Sequence, residues 1–126
     1  MLYAEDLQTV ATGSALSFTG SDISSPTGAI AITGTDELLL SPGRYLVSFV
    51  SDASITEAGT IGAALALNGT TLPYAQAALS ATGADADRIA ISAIVSPTQT
   101  SPLTVLNNAA GSISYENSTL TAVRLA

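Results

Sequence analysis

Along the chain, apolar residues come in short runs that alternate with polar ones and are cut at close intervals by Gly, Pro, Ser, Asp and Asn. A period of two places successive side chains on opposite faces of an extended strand. Tyr45, Val47 and Phe49 therefore share one face, with Leu46, Ser48 and Val50 on the other; Ile89, Ile91, Ala93 and Val95 are set against Ala90, Ser92 and Ile94 in the same way. The pattern predicts strands over Ala15–Thr19, Ala29–Thr33, Gly43–Ser51, Thr60–Leu67, Arg88–Val95, Pro102–Asn107, Ser112–Glu116 and Thr119–Leu125, with a weaker one near Leu2–Thr9. Leu72–Thr82 reads as a loop followed by an extended strand in preference to a helical turn. Many short strands separated by turn residues predict an all-β, antiparallel, two-sheet jelly-roll sandwich, here as one domain over residues 1–126.

Two turns are explicit. Ser41-Pro42-Gly43 and Asn68-Gly69 supply a preset φ and residues tolerant of positive φ where strands must reverse. Two strands lack a polar face. Ala63, Leu65 and Leu67 stand against Gly62, Ala64 and Ala66, so one side is expected on the core and the other under a partner subunit. In Thr119–Leu125, Leu120 and Ala122 lie on one side and Val123 and Leu125 on the other, which places this closing strand inside a sheet or an interface.

Composition narrows the chemistry. The 126 residues include no Cys, His, Trp or Lys, which excludes thiol nucleophiles, imidazole acid–base catalysis, His or Cys metal ligation and Schiff-base lysines. The hydroxyls therefore have no base to complete a catalytic triad. A net charge of −7, ten carboxylates against Arg44, Arg88 and Arg124, repels nucleic acid and anionic membrane surfaces. The start of the chain carries Glu5 and Asp6 and lacks the basic residues of a secretory signal, and no apolar run reaches membrane-spanning length. Only 10% of residues are charged although 47% are hydrophobic, so part of the apolar surface is expected in a subunit interface.

The remaining motifs carry little chemistry. Asp85 and Asp87 resemble the start of a calcium loop but lack its later Gly and bidentate Glu, so a solvated turn is the better reading. The pairs Asp36-Glu37 and Glu5-Asp6 have no recognisable apolar pocket around them. Asn68-Gly69-Thr70 and Asn117-Ser118-Thr119 fit the N-glycosylation sequon, and turn asparagines explain both equally well. No metal, cofactor or catalytic residue is expected.

The run Leu39-Leu40-Ser41-Pro42-Gly43-Arg44-Tyr45-Leu46-Val47-Ser48-Phe49, then Ala64-Leu65-Ala66-Leu67-Asn68-Gly69, then Asn117-Ser118-Thr119-Leu120-Thr121-Ala122-Val123-Arg124-Leu125, resembles the C-terminal domain of BclA-type collagen-like glycoproteins of bacterial spore surfaces. Those domains are similar to the globular heads of complement first component and tumour necrosis factor. The resemblance covers roughly residues 28–126 and implies a homotrimeric jelly roll of about ten strands. It implies further a non-catalytic head at the tip of a collagen-like stalk on the exosporium or cell surface. Carried over by position, Tyr45, Val47, Phe49, Leu65, Leu67, Leu120, Val123 and Leu125 belong to core or trimer strands. The closing strand would pair with the N-terminal strand and bring both termini to one end; Arg124 would then be a partly buried cation paired with a carboxylate such as Glu5 or Asp6, the alternative being a solvated terminal arginine. No Gly-X-Y repeat occurs, so a stalk is absent or lies outside these residues. A trimerisation head is thus the first functional expectation. A receptor- or glycan-binding knob of a bacterial or phage fibre is the alternative, touching host or surface components through Tyr74 and Tyr115, although core packing is the commoner fate of Tyr.

Overall fold

The face formed by Tyr45, Val47 and Phe49 points inward, and all three side chains are fully buried. They belong to one of two antiparallel sheets in the computed structural model, which describes residues 1–25, 27–56, 58–81 and 86–126. The strands are β1 (Leu2–Ala4), β2 (Gln8–Val10), β3 (Gly20–Ser21), β4 (Ile30–Thr33), β5 (Glu37–Leu40), β6 (Tyr45–Ser54), β7 (Gly59–Leu67), β8 (Thr70–Ala81), β9 (Asp87–Val95), β10 (Ser101–Leu106) and β11 (Ile113–Arg124). The first sheet has the order β3-β1-β11-β6-β9, with β2 also on β11; the second has the order β4-β5-β10-β7-β8. Neighbours distant in sequence make this the predicted jelly roll, with no helix among the described residues.

The core lies between the sheets. Phe49, Ile91 and Leu120 meet it from the first, and Leu38, Leu40, Ile61, Leu65 and Leu103 from the second. Leu67 is half-buried and packs against this cluster. Buried phenols are tied to backbone: Tyr45 Oη donates to Ser41 O at 2.7 Å, and Tyr115 Oη donates to Gly62 O across the sandwich. Burial also pushes the Tyr115 phenol above its ordinary pKa.

The closing strand is interior, as expected. β11 lies between β1 and β6, with Leu2 opposite Leu120 and Phe49 on its other side. Both termini consequently sit at the end of the sandwich that carries the Pro42-Gly43 turn, where Arg44 N donates to Ala126 O. Asn68 and Gly69 both have positive φ, +56° and +79°, and form the tight two-residue link between β7 and β8.

Several expectations are corrected. Ala15–Thr19 is not a strand: Ala15 makes a single bridge to Leu106, and the segment bonds its surroundings at separate points, Leu16 N to Val105 O, Phe18 N to Thr35 O and Thr19 N to Tyr3 O. Leu2–Thr9 is interrupted at 5–7, opposite a bulge in β11. There, Asn117 adopts φ +53° and donates its N–H to Glu5 O. The two C-terminal runs are accordingly one bulged strand, because a bulge inserts residues without ending the ladder. Leu72–Ala81 forms part of a single long strand beginning at Thr70, itself bulged opposite Ala64–Ala66; Thr82 lies outside the described residues. β5 was not foreseen.

The apolar second face of β7 does not need a partner subunit. Gly62, Ala64 and Ala66 are fully buried within the single chain. They are small residues beneath longer neighbours: Ala64 lies between Leu106 and Gln76 in the ladder, and Asn108 Nδ2 donates to Gln76 Oε1 at 3.1 Å. Gly62 must be glycine, since a Cβ there would collide with Ala77 O and come within 2.8 Å of Asn108 Oδ1.

Candidate functional site

The outer face of the β3-β1-β11-β6-β9 sheet carries three adjoining rows without a charged side chain. Directly opposed residues of antiparallel strands share a face, so the register reads as rows across the sheet. Nearest the termini, Leu46 of β6 lies between Ile94 of β9 and Val123 of β11, and these are 39%, 40% and 52% exposed. The next row is Ser92, Ser48 and Thr121. Above it run Ala90, Val50, Thr119 and Tyr3, the last lying over Gly20 of β3. These three rows contain no charged side chain.

Charge begins in the fourth row. Asp52 stands between Glu116 and Arg88 in the register, and Arg88 Nη1 lies 3.1 Å from Asp52 Oδ1. Asn117, turned outward by its left-handed backbone at the bulge, donates Nδ2 to Asp52 Oδ2 at 3.3 Å. The Asn117 amide first, and the Arg88 guanidinium second, hold the Asp52 carboxyl below the usual carboxylate pKa. Beside the cluster lies an open depression of about 470 Å³ bordered by Tyr3, Glu5, Arg88 and Asn117.

Beneath this row two hydroxyls are sealed in the sheet. Ser51 Oγ and Ser118 Oγ are 2.8 Å apart and buried. Ser51 has one proton and two carbonyl acceptors in reach, Asp52 O and Glu116 O, so the proton of the shared bond comes from Ser118. Neither hydroxyl faces a base.

The residues singled out in the sequence divide accordingly. Tyr45, Val47, Phe49, Leu65 and Leu120 are core, whereas Val123 and Leu125 are half-exposed outside it. Tyr74 stands out at 61% exposure on β8. Tyr115 is corrected: it is fully buried, its ring filling the core beside Ile113. Arg124 is also corrected. The register Ala4 to Ser118 puts Glu5 and Asp6 near the bulge, far along β11, and Arg124 instead donates to Pro42 O at 3.3 Å. Asp85 lies outside the described residues, and Asp87 is half-buried at the start of β9. Among the described residues no three potential metal ligands cluster. Tyr3 and the Asp52–Arg88–Asn117 cluster were missed, because only the fold brings positions 3, 52, 88 and 117 to one face.

No protein family and no curated protein matches the chain by sequence. By structure, it is similar to the globular domain of zebrafish complement 1qA protein, with a TM-score of 0.61 over 99% of this chain and 94% of that one, at 9% identity. A likeness at that identity is one of fold, and it shows this chain to share the jelly-roll architecture of that complement globular domain.

Proposed function

We propose that the chain is a non-catalytic assembly head, three copies of which pack through the outer face of the β3-β1-β11-β6-β9 sheet. The observation that carries this is the set of three uncharged rows running from Leu46, Ile94 and Val123 to Tyr3. In a chain of net charge −7, three adjoining rows without carboxylates form a patch that identical copies can bring together without repulsion. The shared jelly roll supports the same reading, as does the resemblance of the β6, β7 and β11 sequences to spore-surface collagen-like glycoproteins. On that reading the end bearing both termini faces a stalk on a bacterial spore or cell surface, and the opposite end is the exposed tip. A receptor- or glycan-binding knob is the second reading, favoured by the exposed Tyr74 ring.

The test is mass in solution. Light scattering or native mass spectrometry should give three times the 12.6 kDa chain. Ile94→Asp should give a folded monomer, and Gln76→Glu on the other sheet should stay trimeric. A monomeric parent chain overturns the reading, and an Ile94→Asp trimer overturns the face. Saccharide binding lost in Tyr74→Ala would instead support the knob.

A further inference from the structure

The four asparagines of the chain differ sharply in what holds their side chains. Asn107 is buried, donates to Val10 O and Gly111 O, and accepts from Ala109 N. Asn108 donates to Gln76, and Asn117 to Asp52. The Asn68 side chain is exposed at the tip of the β7–β8 turn and engages no hydrogen bond among the described residues, where its backbone N–H alone is anchored, on Pro102 O. The residue that follows is glycine, with nothing within 4 Å of the place where a Cβ would stand. Its N–H makes no turn or loop bond among the described residues.

From this contrast we infer that Asn68-Gly69 is a built-in site of spontaneous deamidation, the one asparagine whose side-chain amide makes no hydrogen bond, and whose following N–H makes no turn or loop bond, among the described residues. The Gly69 nitrogen attacks Asn68 Cγ; the N–Cγ bond forms, the Cγ–Nδ2 bond breaks, and ammonia leaves with the proton from Gly69 nitrogen. Water then opens the cyclic imide. Breaking the new N–Cγ bond yields aspartate, and breaking the bond from nitrogen to the main-chain carbonyl yields isoaspartate. Ordinary folding protects the other three sites, since a side-chain amide held in a hydrogen bond must first leave it. The product adds a carboxylate to a chain already at −7. The isoaspartyl form inserts a methylene into a two-residue turn whose geometry sets the register of β7 and β8.

The sequence provides its own assay. Trypsin cuts after Arg44, Arg88 and Arg124, so Asn68 is the sole asparagine of fragment 45–88, and fragment 89–124 holds the other three. The folded protein is aged at mildly alkaline pH, then unfolded, digested and weighed, beside a sample aged unfolded. Fragment 45–88 should gain about 1 Da and accept methyl groups from an isoaspartyl methyltransferase. It should do so at least about tenfold faster than fragment 89–124. Asn68→Gly, which tolerates the same positive φ and has no side-chain carbonyl to attack, should be folded, should abolish the mass gain and should reduce methyl acceptance to background. Equal rates for the two fragments, or a fragment 45–88 that stays unchanged when folded but ages when unfolded, would overturn the inference.

Discussion

Ser51 and Ser118 share a hydrogen bond of 2.8 Å inside the β6–β11 ladder, one residue from the bulge that turns Asn117 outward. Ser51 offers its one proton to two backbone carbonyls beside the bulge, those of Asp52 and Glu116. Ser51→Ala leaves them and the Ser118 hydroxyl short of partners in a dry site. Chemical denaturation at fixed protein concentration should show a loss of about 1–3 kcal/mol. Ser118→Ala, which leaves Ser51 bonded to the carbonyls, should cost less.

Asp52 titrates below the usual range because the Asn117 amide and Arg88 favour its charged form. A depressed folded pKa contributes stability that is present above the unfolded value of about 3.9, and it is lost as the pH falls through the folded value. Asn117→Gly keeps the positive φ and removes the amide, so the Asp52 pKa should rise toward its ordinary value in a carboxyl NMR titration. Arg88→Gln should do the same. An unmoved titration in both variants would show that neither partner holds the carboxylate.

Tyr115→Phe removes the hydroxyl that joins the two sheets through Gly62 O. The ring remains in the core, and unfolding should become easier by about 0.5–1.5 kcal/mol. Tyr74→Phe, on an exposed side chain, should leave stability unchanged within about 0.5 kcal/mol.

Deleting Leu120–Ala126 strips β6 of its neighbour from Phe49 down to Tyr45 and leaves β1 without Leu120. Two ladders lose their pairing and the core loses a fully buried leucine. Near-ultraviolet circular dichroism and amide dispersion should report loss of the native fold. A truncated chain with native spectra would displace β11 from its interior position.

The central strands were legible because large apolar residues recur at every second position and their turn chemistry is local. Tyr45, Val47 and Phe49 needed only a period of two, and Asn68-Gly69 only the tolerance of positive φ. Tyr115 could have been placed by the same signal, since Ile113 and Tyr115 alternate with Ser114 and Glu116. β5 escaped because Leu38, Leu39 and Leu40 show no alternation within four residues. The second face of β7 was misread as intermolecular because small residues are covered by whatever longer side chains the fold places beside them. The rows of the outer face depend on register between strands far apart in sequence, which no local pattern encodes.

The pairing of Leu2 with Leu120 also governs how the chain reaches its native state. The first strand can find its place only after Leu120, more than a hundred residues later, has left the ribosome, and until then β1 and the neighbouring edge of β6 stand open. Closing so long a loop is entropically slow, so the chain should fold late, and all at once, in the slower range of small β proteins. A chain stalled shortly before Leu120 would present an uncovered sheet edge to its neighbours.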